Sequence, residues 1–96
     1  MIEVTHIDLK AGTAVGIKVD LPNAPLLLIR ADKGFLMCDY LNVYAAEKRQ
    51  DVAAVVRRVT TFDEMLRAKV VSCTAAAKAS GVTQGQTGRE ALGKMF

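Results

Sequence analysis

The sequence is poor in the residues that specialised small proteins depend on. Its 96 residues include no tryptophan, two prolines, two cysteines and one histidine. Two cysteines are too few for the disulfide framework of a small secreted domain, so we expect reduced thiols and a cytoplasmic location. The histidine and the cysteines are scattered, with no C-x-x-C or H-x-x-x-H pair. We therefore expect no metal and no other cofactor.

Long apolar runs, repeats and charged tails are also absent from the sequence. No apolar stretch approaches the roughly 18 residues of a membrane span, so no membrane partner is expected. The net charge is only +3, and the aromatic residues are two tyrosines and three phenylalanines. A nucleic-acid partner usually requires a larger basic face, with aromatic residues interleaved for single strands. The densest basic pairs, Lys48-Arg49 and Arg57-Arg58, are therefore interpreted as solvated surface.

Apolar residues, in contrast, are abundant for so short a chain. They make up 51% of the sequence, and the mean hydropathy is +0.20. This composition excludes a disordered protein, because disordered chains lack apolar residues to bury. The length predicts a single domain over residues 1–96, and a monomer of this size hides only about 60 to 68% of its unfolded surface.

The pattern predicts an α+β fold with a β-rich first part, 1–42, and a mainly helical second part, 43–96. Alternating or apolar runs separated by turn residues predict a mostly antiparallel sheet of four to five strands at 2–9, 13–21, 26–31, 35–41 and, less clearly, 52–59. The last run is ambiguous between strand and helix, and its valines favour a strand. Capping residues predict short helices at 62–67, 75–80 and 88–95, covering one face of the sheet, and a weaker pattern predicts another at 43–49.

The segment PLLLIRADKGFLMCDYLN predicts a hairpin that is apolar on both faces. A three-residue loop with Gly34 at positive φ would place Ile29 opposite Met37. In that register one face carries Leu26, Leu28, Leu36, Cys38 and Tyr40, and the other carries Leu27, Ile29, Ala31, Phe35 and Met37. Both faces would then need cover.

The predicted helices are too short to cover both faces of this sheet. About thirty helical residues amount to about 45 Å of helix, enough for one face. A second copy of the chain would bury the other face, so self-association is expected. The alternative is that the helices wrap both faces of one chain. The pattern does not indicate which face would form the interface.

The chain resembles the YunC-like family of small bacterial and archaeal proteins of unknown function. The resemblance covers nearly the whole sequence, and its most specific parts are the block from Lys33-Gly34 to Asn42 and the block GVTQGQTGREAL. The family's N-terminal β region is described as forming tetramers, so the resemblance implies a homotetramer. Periodicity and composition do not choose between two and four copies. The family has no established catalytic residues to transfer to this chain.

Two positions depart from the family pattern. Asp39 stands where glycine is common after the Met-Cys pair, and it adds a carboxylate beside Cys38. Gln86 stands where methionine is usual, before the Thr87 cap. An apolar residue there would act as a hydrophobic staple, and glutamine does so poorly.

Two small groups of residues are candidates for a functional site. Cys38 and Asp39 could form a reactive thiol with a neighbouring carboxylate, although a buried structural thiol is the simpler interpretation. Thr87, Gly88 and Arg89 begin a predicted helix, where free amides and an arginine favour a small anionic ligand. The simpler interpretation is a turn and a capping box with Glu90, and GVTQGQTGRE is not a P-loop.

Three classes of function remain open. The first is a self-assembling binding or scaffolding module of unknown ligand. The second is an enzyme with an intersubunit site that uses Cys38 and Asp39 or Arg89. The third, the least favoured, is a nucleic-acid accessory protein. The composition and motifs favour the first class over the enzyme.

Overall fold

The computed structural model describes all 96 residues and has the predicted α+β architecture. Its six strands form one sheet in sequence order: β1 (Ile2–Leu9), β2 (Gly12–Val19), β3 (Leu26–Arg30), β4 (Gly34–Cys38), β5 (Val52–Val56) and β6 (Ser72–Cys73). Neighbouring strands are antiparallel except β4 and β5, which are parallel. A parallel pair needs a crossover connection, and a helix between the two strands provides it.

Four short helices complete the fold: α1 (Val43–Lys48), α2 (Phe62–Arg67), α3 (Ala75–Ala79) and α4 (Gly88–Gly93). Each begins at a side chain that accepts from an amide of the first turn: Asn42, Thr61, Thr74 and Thr87. The capping box of Thr87 and Glu90 is present as predicted. At α2 the Glu64 carboxylate accepts from the backbone N–H of Thr60, one residue before the Thr61 cap, at 2.7 Å.

Several predicted boundaries are too long. The predicted elements 13–21, 26–31, 35–41, 52–59, 75–80 and 88–95 are observed as Gly12–Val19, Leu26–Arg30, Gly34–Cys38, Val52–Val56, Ala75–Ala79 and Gly88–Gly93. Strand β4 ends early because the chain turns, with Leu41 N–H donating to the Cys38 carbonyl at 3.2 Å. The sixth strand was not predicted, because two residues are too short to show a period.

The predicted register of the β3–β4 hairpin is wrong by one residue. Met37 pairs with Leu28, and Leu36 pairs with Ile29. The loop contains two residues, Asp32 and Lys33, because Ala31 N–H donates to the Gly34 carbonyl at 2.8 Å. Gly34 belongs to the strand and does not have positive φ. A slip of one residue exchanges the two faces of a strand, so the predicted face assignment of β4 is wrong too.

The corrected register separates the sheet into an inner and an outer face. The inner face is the main core, where residues from β3, β4 and β5 lie beneath α2, α3 and α4: Leu27, Ile29, Ala31, Leu36, Cys38, Ala54 and Val56. Helix α1 packs on the outer face, over a smaller cluster of Met37, Ala46, Ala53 and Val55. The three predicted C-terminal helices therefore cover one face as expected, and the crossover helix α1 lies on the opposite face.

The four helices are all short, with five or six residues each. None of them combines the length and the apolar character of a membrane-crossing helix.

Candidate functional site

A cleft with a volume of about 550 Å³ lies between α1 and the β3–β4 hairpin. Its apolar lining comes mainly from the outer face of the sheet and from α1: Leu28, Phe35, Met37, Leu41, Ala45, Ala46 and Val52. Charged side chains also line it: Arg30, Asp32, Lys33, Arg49 and Asp51. Pockets of about 300 to 1,000 Å³ with apolar walls and a few polar groups are typical binding sites for small molecules.

Local structure explains how the charged residues reach the cleft. Arg30 is the last residue of β3 and pairs with Phe35 on the same face. Lys33 lies at the hairpin loop, where its N–H donates to the Met95 carbonyl at 2.7 Å. The cleft-lining Arg49 is the C-cap of α1.

The end of α1 is a tight C-terminal motif. Gln50 has φ of 61°, and its N–H donates to the Glu47 carbonyl at 3.0 Å. Asp51 N–H donates to the Ala46 carbonyl, also at 3.0 Å. These two bonds form a Schellman motif, which satisfies the last carbonyls of the helix. Asp51, which follows this motif, also lines the cleft.

The cations of the cleft have no ion-pair partner within the chain. The protein has two ion pairs, one between the N-terminal amine and Asp20 and one between Arg67 and Asp63. Arg30, Lys33 and Arg49 take part in neither. The two aspartates of the cleft are likewise unpaired, so the cleft carries three cations and two carboxylates.

The Cys38 thiol lies in the main core. Its side chain is 2% exposed, and its Sγ accepts from the Leu27 N–H at 3.3 Å. Asp39 is exposed in the turn after β4 and lines a second, smaller cavity of about 370 Å³ with Tyr40 and Arg57. Cys73 is half-buried, and the two cysteines are not bonded to each other. The thiol and the neighbouring carboxylate therefore lie in different environments, one in the core and one at the surface.

Amides at the start of α4 are hydrogen-bonded to other groups of the same chain. Gly88 N–H donates to the Ala68 carbonyl at 2.8 Å, and Glu90 N–H donates to the Thr87 hydroxyl at 3.2 Å. The Glu90 carboxylate in turn accepts from the Thr87 N–H at 2.9 Å, and this bond holds the pKa of Glu90 below its usual value. The amides of Gly88, Glu90 and Ala91 at this helix start are thus already paired within the chain, while Arg89 is exposed.

Gln86 stabilises the loop before α4. Its Oε1 accepts from the Thr83 N–H at 3.1 Å, and its Nε2 donates to the Gly81 carbonyl at 3.3 Å. The polar side chain therefore stabilises the loop through hydrogen bonds, where an apolar residue would use packing.

Sequence reasoning missed the residues of the cleft. Arg30, Lys33 and Arg49 come from a strand end, a hairpin loop and a helix end, and no sequence period relates them. The available signal was the crossover between β4 and β5, which places α1 beside the hairpin. That signal required knowing that the two strands are parallel. The five predicted site residues, in contrast, lie outside the cleft.

A second surface stands out on the outer face, where α1 does not reach. Ile2 and Val4 of β1 are 68% and 64% exposed. They pair with Val19 and Ile17 of β2, which are half-buried, and Val15 lies on the same face. We call these five residues the N-terminal strip.

No group of three or more potential metal-binding side chains occurs in the protein.

Comparisons with known proteins agree with this fold along the whole chain. The protein is 34% identical to the uncharacterized protein YunC of Bacillus subtilis (strain 168), over 100% of this chain and 99% of YunC. It is also similar to the crystal structure of a protein of unknown function, TA1206 from Thermoplasma acidophilum. The TM-score is 0.95 at 38% identity, over 100% of this chain and 94% of that one.

These similarities confirm the resemblance found in the sequence, and the relatives carry no assigned activity. The profile of the family described as Domain of unknown function (DUF1805) matches residues 37–95, which extend from the end of β4 beyond α4. The matched segment is more than half of the chain, and the chain therefore belongs to the DUF1805 family.

Proposed function

We propose that this protein is a cytoplasmic, self-assembling module that binds or scaffolds a ligand and does not catalyse a reaction. Its assembled form is a homotetramer built through the N-terminal strands. The observation that carries this proposal is the N-terminal strip, an apolar surface that the chain itself leaves uncovered. A contiguous exposed apolar patch of this kind typically marks an interface.

The chemistry of the strip favours a second copy of the same chain as its occupant. The strip itself has aliphatic side chains only; the ionisable residues around it on the same face are His6, Asp8 and Arg30, which pairs with Val15. The aliphatic strip itself offers little to select a different, charged partner. Two identical aliphatic surfaces can pack against each other around a twofold axis, where each contact occurs twice.

The free edge of β1 provides a second surface for assembly. Strand β1 is the outermost of the sheet, is eight residues long and has no strand on its other side. Unpaired N–H and C=O groups along a long edge strand are a template for pairing with another chain. A tetramer with D2 symmetry needs two different twofold interfaces, and the edge and the strip are two such surfaces.

Sedimentation velocity of three chains tests the proposal. We expect the natural protein to sediment as a tetramer at micromolar concentration. The variant Val4→Lys places a charge in the strip and should sediment as a dimer or monomer, because a buried unpaired ammonium opposes association. Glu3→Lys is the matched control, since it adds a lysine to the adjacent, opposite-facing position of β1. This variant should sediment like the natural protein.

Circular dichroism of all three chains separates loss of assembly from loss of folding. The strip lies on the face opposite the main core, so we expect the spectra of the three chains to match. A natural protein that sediments as a folded monomer would contradict the proposal. A Val4→Lys chain that remains a tetramer would contradict the role of the strip.

A further inference from the structure

We propose that the cleft between α1 and the β3–β4 hairpin binds a small organic anion that carries a single negative charge on an apolar body. A carboxylate with an aromatic or branched aliphatic group is the class that fits best. This inference names a ligand for the proposed binding module. It rests on that binding role and not on self-association, because one chain forms the whole cleft.

The floor of the cleft requires an apolar ligand body. Leu28 and Phe35 are only half-buried, and they lie over the outer-face cluster that includes Met37. Their exposed surface would be covered by a ligand of about the size of the cleft, and covering apolar surface favours binding. A purely inorganic anion would leave this surface in water.

The rim of the cleft requires a negative charge on the ligand. Arg30, Lys33 and Arg49 bring three cations to one cleft, and none of them has a carboxylate partner within ion-pair distance. An arginine guanidinium binds a carboxylate with two parallel hydrogen bonds, and such charge-assisted bonds are about twice as strong as neutral ones.

The two carboxylates of the cleft limit the charge of the ligand. Asp32 and Asp51 offset two of the three cations, so the charged residues that line the cleft have a net charge of +1. A singly charged ligand neutralises this balance, whereas pyrophosphate or a nucleotide would bring several negative charges close to the aspartates. The cleft should therefore prefer a monocarboxylate to a polyphosphate.

Calorimetric titration with a matched pair of probes tests the inference. The probes are 4-phenylbutyrate and 4-phenyl-1-butanol, which share the apolar body and differ in the charged group. We expect the carboxylate to bind about tenfold more tightly than the alcohol, the difference that one charge-assisted hydrogen bond produces. Pyrophosphate should not displace 4-phenylbutyrate at equal concentration. Amide NMR shifts on binding should concentrate at Arg30, Lys33, Phe35 and Arg49.

Charge variants of the chain complete the test. The variant Arg30→Gln/Arg49→Gln should bind 4-phenylbutyrate about tenfold more weakly and bind the alcohol as before. Lys10→Gln/Lys78→Gln removes the same charge from exposed positions outside the cleft and should change neither affinity. Equal affinity for the two probes, unchanged binding by the arginine variant, or displacement by pyrophosphate would each overturn the inference.

The Val4→Lys chain distinguishes this inference from the proposed assembly. It should bind 4-phenylbutyrate like the natural protein even when it no longer forms tetramers, because Val4 does not line the cleft. If this chain loses both assembly and probe binding, the claim that one chain forms a complete site is wrong. If the natural protein is a monomer that binds the probe, the assembly proposal fails alone.

Discussion

The backbone carbonyl of Met65 in α2 lies directly against the α-carbon of Gly88 in α4. A β-carbon at position 88 would collide with that carbonyl oxygen and would also come within 2.8 Å of the Leu36 Cδ2. Helix α4 can therefore pack on α2 and on the sheet only because residue 88 has no side chain. Gly88, the last glycine of GVTQGQTGRE, has a packing role in this fold, and no anion is needed to explain its presence.

Gly88→Ala should destabilise the protein by about 2 to 3 kcal/mol, because overpacking forces the backbone of α2 or α4 to shift. Thermal unfolding followed by circular dichroism measures the effect. Gly93→Ala in the same helix is the matched control, since nothing lies within 4 Å of its β-carbon position. That change should stabilise the protein by about 0.5 to 1 kcal/mol through helix propensity. Equal effects of the two substitutions would contradict the close approach.

The acid stability of the protein should depend on two capping glutamates. The N–H of Thr60 lowers the pKa of Glu64, and the N–H of Thr87 lowers the pKa of Glu90, each from a reference value of 4.5. A carboxyl whose pKa is lowered by folding stabilises the native state when ionised. This contribution is fully present above about pH 4.5 and is lost as the pH falls through the lower native pKa.

Urea unfolding between about pH 6 and pH 3 should show this loss for the natural protein. The variant Glu64→Gln/Glu90→Gln should be less stable at pH 6 and should lose less stability on acidification, so the two curves converge. Glu3→Gln on the exposed end of β1 is the control and should retain the natural pH dependence. Parallel curves for the double variant and the natural protein would contradict the role of the caps.

The helices could be predicted from their capping residues, whereas the pairing of the strands could not be predicted. Thr61, Thr74 and Thr87 each fix a helix start through a bond to an amide three residues away, so a short sequence window contains the whole signal. The register of β3 and β4 depends on which residues the loop contains. Gly34 indicated a left-handed loop residue, but its real constraint is the Val52 backbone, which leaves no room for a side chain at this position.

The cleft could not be predicted from the sequence for a related reason. The pair Lys48-Arg49 looks like solvated surface, because the sequence does not show where α1 lies relative to the hairpin. The parallel pairing of β4 with β5 decides this, since the crossover places α1 on the outer face. The self-association expected from the two-faced hairpin stays a prediction, although the most exposed aliphatic side chains of the sheet are Ile2 and Val4 of β1 and not residues of β3 or β4.

The end of α1 offers a stabilising substitution next to the cleft. Gln50 has φ of 61°, a left-handed conformation that costs a residue with a side chain about 1 to 2 kcal/mol. Gln50→Gly removes this cost but adds backbone entropy to the unfolded chain, so we expect a net stabilisation of about 0.5 to 1 kcal/mol. Gln50→Ala, which keeps the strain, should bring no such gain. Chemical denaturation of the three chains measures the difference.

The two thiols should react at very different rates in the native protein. Cys73 is half-buried, whereas Cys38 is 2% exposed and its Sγ accepts a hydrogen bond from the Leu27 backbone. A nucleophilic cysteine needs an accessible thiolate in electropositive surroundings, and the core around Cys38 provides neither. Iodoacetamide labelling with mass spectrometry should therefore modify Cys73 first, and Cys38 only at the rate of unfolding. Cys73→Ala isolates the second rate. Rapid labelling of Cys38 in that variant under native conditions would restore the enzyme with a Cys38 nucleophile as the better hypothesis.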